Sequence, residues 1–567
     1  MPDCGNASWR ITGSYLPPTK VRRTARSFRR HNPISLLWRL ECRQPVRRRH
    51  ESTRSRYPQR HSKFASRRIR QGVSFRGIRF LLSWDYSFPQ KNEVSFLTVS
   101  SQSDVYVPSD IPSALYCGQT GVQHRYFIRT FGCQLNENDS EKIAGVLDEC
   151  GFTQAEDADQ ADLVVFNTCS VRENADDRLF GNLGRLKAAK RERPELRIAL
   201  CGCMMRQPHH VEKIRKSFPF VDLVFGTSDI HRLPELLHRL YAGEKRVYEV
   251  GADDRIAEGI PMHRQRRFRA LCSIMYGCDN FCSYCIVPYV RGRERSRSAP
   301  EILRELEELS GQGYREVMLL GQNVNSYGRD QGPDAPDFPS LLAMAAQIPG
   351  FDRIRFMTSH PKDCTRRLID TIADHPSIER HLHLPLQSGS NRVLREMNRG
   401  YSREEYLDIA TYARDRIPGL TISTDLIVGF PGETEEDFVD TLDMMDRIRF
   451  DSAFTFIYSP RKGTPAAERT DIVDPEAVED RFRRLVDKQD AHSLASNESV
   501  VGTLQRVLIE GTSTKPGIHT GRTSHNRLVN FTVDPPAGTD MENMLADVRV
   551  TAAHAYYLEG AMEGVPL

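Results

Sequence analysis

No run of about 18 apolar residues occurs anywhere in this 567-residue chain, so no membrane-spanning helix is expected. The longest apolar stretches, such as 163–166 and 426–428, have the size of strands. Acidic residues are nearly missing from the first hundred positions, which hold 22 Lys+Arg against 5 Asp+Glu. The overall net charge of +4 therefore conceals an acidic remainder, with 57 Lys+Arg against 70 Asp+Glu. Clear periodicity is lacking there too, and residues 1–120 read as a basic, disordered extension. A cleaved organellar targeting segment, a nucleic-acid-binding tail and an extension from an upstream start all suit that composition. The thirteen cysteines lack the spacing of a small disulfide scaffold. Free or metal-bound thiols in a reducing setting, the cytoplasm, are expected instead.

What is present is a regular alternation from residue 125 onward. Strand-like runs at 126–129, 163–166, 197–200 and 222–225 alternate with helical stretches near 138–149, 173–190, 208–217 and 230–240. This predicts a parallel α/β domain over 124–240, followed by a linker over 241–263. Six further strand-like runs, near 270–276, 316–320, 353–357, 381–385, 421–428 and 453–458, predict a (β/α)6 partial barrel over 264–496. One of its helices opens on Ser298 and Glu301, spaced as a capping box, with Pro300 in the first turn. Ile302, Leu303, Leu306 and Leu309 then form its apolar stripe, and Gly311 ends it. Residues 497–567 carry short β-like runs and turn residues, as a small all-β domain would.

Cys278, Cys282 and Cys285 follow the first strand of the second block at the spacing C-x3-C-x2-C. Barrel folds place their active sites at such strand ends. Three thiolates can hold three irons of a four-iron cluster and leave the fourth open to an outside ligand. A structural zinc site needs a fourth Cys or His at ligand spacing, which the loop lacks. This spacing resembles that of the radical S-adenosylmethionine (SAM) superfamily.

Cys133, Cys169 and Cys203 are far apart in sequence, yet each follows a strand of the first domain. In a parallel sheet such strand ends share one edge, so the three can converge. Three buried core cysteines are the alternative, weakened because each sits at a strand exit. Cys201 is left out provisionally, on the expectation that it and Cys203 point to opposite faces.

Two open trios in one chain resemble the radical SAM methylthiotransferase family. The likeness runs from about Tyr126 to the C-terminus through TFGCQ at 130–134, IVPYVRGRERSR at 286–297 and LGQNVNSYG at 320–328. It continues through TSHP at 358–361, LPLQSGS at 384–390, GFPGET at 429–434 and YSPRKGTPAA at 458–467. Arg206 and Leu135 depart from the family pattern, where a polar neutral residue and Met are usual; neither removes a cluster ligand.

The resemblance implies two [4Fe-4S] clusters, held by Cys133, Cys169 and Cys203 and by Cys278, Cys282 and Cys285. It implies that SAM binds the open iron of the second and is cleaved to a 5′-deoxyadenosyl radical, while another SAM methylates sulfur associated with the first. Tyr284 resembles the aromatic placed against the adenine, and Gln322, Asn323, Gln387, Ser388 and Gly429 fall in the family's SAM-binding segments; turn chemistry is the alternative for these. The substrate implied is N6-isopentenyl adenosine 37 of tRNA, methylthiolated at C2, with a flavodoxin or ferredoxin as electron donor and a monomeric enzyme. Radical chemistry suits an unactivated aromatic C–H bond, which offers no acid–base route.

Residues 497–567 resemble the RNA-binding TRAM domain, although they hold 5 Lys+Arg against 8 Asp+Glu. Local contacts by Arg522, Arg527 and Phe531 are the expectation there. Arg291, Arg293 and Arg295 near the cysteine loop are candidates for tRNA phosphates, against the alternative of a solvated face. Other readings are a sibling enzyme acting on threonylcarbamoyl adenosine or a ribosomal protein, and a non-enzymatic iron–sulfur RNA-binding or electron-carrier protein.

Overall fold

The computed structural model describes residues 103–106, 123–170, 174–251, 255–533 and 540–566. Most of the basic extension lies outside them. One part does not: Ser103–Val105 forms a strand paired in parallel with Ile256–Glu258, so disorder does not extend over all of 1–120.

The first domain is a six-stranded, all-parallel sheet. Its order is Thr153–Gln154, Arg125–Thr130, Leu163–Thr168, Arg197–Gly202, Leu223–Phe225 and Val247–Glu249. The central strands are apolar on both faces because helices cover both. Leu163 and Val165 pack with Ile143 and Leu147 on one side, while Val164 and Phe166 pack with Leu183 and Ile214 on the other. The expected linker over 241–263 is a correction. Val247–Glu249 completes the sheet, and Ile256–Glu258 takes the paired strand just described.

The second domain has two parallel triplets. Arg353–Phe356, Glu316–Leu320 and Arg269–Ser273 form one; His381–His383, Thr421–Val428 and Ser452–Ile457 form the other. A parallel bridge from Ile354 to Ile378 joins them into one curved wall. Alternation sorts its side chains. Ala270, Val317, Leu319, Ile354, Leu382 and Leu426 face the outer helices. Leu271, Met318 and Leu320 face inward, where Leu135 of the first domain packs on them. The helix Ala299–Gly311 starts at Ser298 as expected, but the capping box does not form. The Glu301 side chain pairs with Arg304 (2.6 Å) instead of the Ser298 N–H, and the Ser298 hydroxyl makes no cap bond.

Leu504–Thr512, Ile518–Thr523, Leu528–Thr532, Leu558–Glu563 and Leu545–Ala553 close, in that order, into a five-stranded barrel. Its 523–527 turn docks on the N-terminal ends of the curved wall. Arg353 donates to Arg522 O (2.6 Å), Arg355 to Asn526 Oδ1 (2.6 Å) and Thr421 Oγ1 to His525 O (2.8 Å). This face is opposite the cysteine loop, which lies at the strands' C-terminal ends. Two RNA expectations are corrected here. Phe531 is 1% exposed inside the small barrel, because Val529 and Phe531 share the strand's inward parity. Arg527 is committed to Asn497 (2.7 Å) and Asp451 (3.4 Å) at the domain junction.

Candidate metal centres

The first trio is assembled by three strand exits. Cys133 occupies the N-cap position of the helix Gln134–Glu149, Cys169 follows Leu163–Thr168, and Cys203 opens the 3-10 turn after Arg197–Gly202. Gly132 allows the first two to meet: a Cβ there would lie 2.8 Å from Cys169 Sγ. Asn136 then ties the loops together. Its Nδ2 donates to Phe131 O (2.8 Å) and Thr168 O (2.9 Å), and its Oδ1 lies 3.7 Å from Cys203 Sγ. Cys133 is exposed, whereas Cys169 and Cys203 are buried. Cys201 packs in the core with Ala199, Leu163 and Phe225, on the face that residues two apart share; the strand then ends at Gly202 (φ +95°), which turns Cys203 out of that pattern and toward the trio.

The second trio sits in a loop braced largely from the segment 396–398, with further bonds from Lys362 and Ala466. Asn398 Nδ2 donates to Asn280 O (3.1 Å) and Phe281 O (3.0 Å), Ser283 N donates to Met397 O (3.0 Å), and Ser283 Oγ to Glu396 O (2.8 Å). This bracing holds Phe281 at φ +45°, a left-handed conformation uncommon for a bulky side chain. Burial pushes the free thiol of Cys278 up to about 11, and those of Cys285 and Cys203 up to about 12. As bare thiols they are protonated at neutral pH, and metal binding must displace those protons.

Among the described residues no three His, Cys, Asp or Glu side chains gather as a single metal ion requires. In a four-iron cluster each thiolate takes its own iron, so ligands ring the group rather than converge on one point. All-sulfur trios without a fourth protein ligand thus fit iron–sulfur groups better than zinc.

The second trio's loop is joined to the first trio through the helix that follows it. The helix Val287–Arg291 leaves the cysteine loop directly, and its Val290, with Ile286, packs on Cys203. Arg291 completes the join. Nε lies 3.0 Å from Cys203 Sγ, and Nη2 donates to Asn136 Oδ1 and Asp139 Oδ2, both at 2.7 Å. Its expected role toward tRNA is therefore corrected: Arg291 is 5% exposed and pins the two domains. Arg295 Nη2 donates to Arg291 O (2.8 Å). Arg293 is exposed, pairs with Asp279 (3.1 Å) and covers the Phe281 ring. Arg522 pairs with Glu510 (3.2 Å).

The SAM candidates are distributed around the same strand ends. Gln322 carries a buried Oε1 with no partner, a free acceptor. The Asn323 amide is committed, donating to Asp363 (2.7 Å) and accepting from His360 N (3.1 Å). Gln387 bridges to Leu426 with φ +69°, and Ser388 is fully buried. Gly429 has φ +72°, and a Cβ would meet Val478 at 2.7 Å, so helix packing already demands glycine there. Tyr284 packs with Met397, Ile427 and Phe430. Sequence reasoning did not single out Asn136, Asp139, Asn398 or Arg399. The available signal was only that Asn136 stands two residues after TFGCQ, and that Asn398 and Arg399 come soon after LPLQSGS.

Three family models match the chain: the radical SAM superfamily over residues 272–445, the uncharacterized protein family UPF0004 over 125–226, and the TRAM domain over 498–562. The tRNA-2-methylthio-N(6)-dimethylallyladenosine synthase of Acetivibrio thermocellus is 48% identical over 446 residues, 78% of this chain and 92% of that protein. The protein so named from Syntrophomonas wolfei subsp. wolfei is 50% identical over 438 residues, 77% of this chain and 97% of its own. Among solved structures, a radical SAM methyltransferase from Kitasatospora setae aligns over 61% of this chain and 75% of that chain, with 15% identity and a TM-score of 0.44.

Proposed function

Because the chain belongs to the tRNA-2-methylthio-N(6)-dimethylallyladenosine synthase family, we propose that its two cysteine trios hold two [4Fe-4S] clusters that serve one methylthiolation. The enzyme is a radical SAM methylthiotransferase acting on tRNA, with an iron–sulfur cluster and SAM as cofactors. Its target is C2 of N6-dimethylallyl adenosine at tRNA position 37. The observation that carries the two-cluster reading is the Arg291 pin, which holds Cys203 against the helix leaving the Cys278 loop.

A cluster with one open iron supplies the electron for reductive cleavage of SAM. The chain's own residues do the rest. The segment 396–399 fixes the loop that carries Cys278, Cys282 and Cys285. Gln322 offers its unpartnered Oε1 to a donor on SAM, and Tyr284 and Gln387 bound the same edge, whereas the Ser388 hydroxyl is turned to Thr441 of the outer helix. Between the trios, the inward face of the curved wall receives the base. Leu135, Leu271 and Met318 form its apolar side. His383, Asp425 and Phe454 form the other: the His383 Nε2–Asp425 Oδ1 distance is 3.6 Å, and the ring of Phe454 lies 6.0 Å from that of His383. Phe454 and Phe456, 53% and 47% exposed, offer apolar surface for the dimethylallyl group. Arg293 remains available to a phosphate at the mouth. A flavodoxin- or ferredoxin-type donor, a monomeric state and a cytoplasmic location complete the reading.

Nucleoside mass analysis of tRNA from a deletion strain tests it. Loss of 2-methylthio-dimethylallyl adenosine, with its unthiolated precursor accumulating, is the expected result. Unchanged levels in a strain without a second such enzyme would sink the substrate assignment.

A further inference from the structure

Six arginines among the described residues are almost wholly buried: Arg291, Arg297, Arg353, Arg355, Arg399 and Arg481. A guanidinium held out of water without counter-charge is strongly unfavourable. Four have a carboxylate in contact: Arg291 with Asp139 (2.7 Å), Arg297 with Glu258 (2.7 Å), Arg355 with Glu316 (2.8 Å) and Arg481 with Glu433 (3.1 Å). Arg353 donates to carbonyls but lies in the field of Glu379 and Glu316.

Arg399 differs. Its donors go to Tyr401 Oη (3.1 Å), Pro385 O (2.9 Å), Tyr284 Oη (3.4 Å) and Cys282 Sγ (3.3 Å). No carboxylate among the described residues pairs with it. The only partner able to carry a negative charge at neutral pH is the sulfur of Cys282, once that sulfur ligates iron.

We propose that Arg399 is the counter-ion of the cluster on Cys278, Cys282 and Cys285, and that its unneutralised charge raises that cluster's reduction potential. The proposal rests on the two-cluster reading above. A thiolate-bound cluster gains negative charge on reduction, and a fixed cation at hydrogen-bond distance from a ligand sulfur stabilises the reduced form. Arg291 stands in the corresponding place at Cys203, with Nε 3.0 Å from the sulfur. There Asp139 accepts from the same guanidinium at 2.7 Å and cancels its charge. One device is thus used twice with different net charge. An electron from a low-potential one-electron donor is drawn to the loop where SAM is cleaved, and the other centre receives no such bias.

The test is a potentiometric titration followed by electron paramagnetic resonance, on full-length chain reconstituted with iron and sulfide. A triple variant, C278A/C282A/C285A, identifies the signal of the other cluster. The R399Q variant should move the loop cluster's midpoint to more negative potential, while R399K stays near the parent. R291Q/D139N, which removes a neutral pair, should move its own cluster less. An unmoved midpoint in R399Q would overturn the proposal. So would an equal shift in R399K, which would assign the effect to the shape of the contact rather than its charge. Where R399Q binds no cluster, Y401E reads the same quantity by giving Arg399 a carboxylate beside Nε; a midpoint unshifted there overturns it as well. Failure of the two-cluster reading is seen separately, as half the iron expected for two clusters, with the loop signal still titratable.

Discussion

Asn136 Oδ1 accepts a 2.7 Å hydrogen bond from Arg291 Nη2, and this contact ties the first trio's loops to the helix that leaves the second. Asn136 also holds the Phe131 and Thr168 carbonyls and faces Cys203 Sγ, so its side chain serves four partners at once. Asn136→Ala strands those buried groups, and a loss of about 2–3 kcal/mol is expected. The loss should be local as well as global. Iron and labile sulfide per chain should fall toward the content of one cluster, while the Cys278 loop still loads. Metal analysis beside a thermal melt separates the two effects. Full iron content in a folded Asn136→Ala protein would refute the role.

Cys201 and Cys203 are two residues apart and have different neighbours. Cys201 lies among Leu163, Ala199 and Phe225, whereas Cys203 packs on Ile286 and Val290 below the pin. Cys201→Ala should leave iron content unchanged and cost about 1–2 kcal/mol for a small cavity. Cys203→Ala should remove one cluster's worth of iron. Equal iron loss in both variants would mean that the trio is drawn incorrectly.

The strands were legible because their residues are apolar on both faces, as in 163–166 and 317–320. The cysteines were legible because a strand exit can be placed from sequence to within a residue or two. The charged residues were not. The RGRER run suggests a surface, but the partner of Arg291 is Asp139, 152 positions earlier, and no local pattern announces that pairing. Residues 241–263 looked like a linker because their strands are only three residues long and are completed by distant neighbours. Phe531 was readable in principle. Its parity with Val529 marks it as inward-facing, a period-2 argument that the likeness to an RNA-binding module displaced.

The wall bearing Phe454 is open to direct measurement. The side chain is 53% exposed, so Phe454→Ala should change the melting temperature little. Loss of its apolar contact with a dimethylallyl group, worth about 1–2 kcal/mol, should weaken binding of a modified anticodon stem-loop roughly tenfold. Binding of the same stem-loop with plain adenosine should change far less. A variant that keeps the parent's preference between the two RNAs would place the dimethylallyl group elsewhere.

His525 should make the docking of the small barrel pH-dependent. Its backbone carbonyl accepts from Thr421 Oγ1 (2.8 Å), and its ring stands beside Gly419. Burial, reinforced by Arg527 and Arg380, lowers its pKa from 6.5 to about 4. A histidine with a depressed folded-state pKa contributes stability that is fully present above pH 6.5. That stability is lost as pH falls toward 4, because the unfolded chain takes the proton first. The size is on the order of 1–3 kcal/mol over this window. The gap in melting temperature between the parent and His525→Gln should therefore narrow or reverse on going from pH 7 to pH 4.5. Proteolysis should report the same event as earlier cutting near the 523–527 turn in the parent. A gap constant across that range would mean that some other group governs the acid response of this junction.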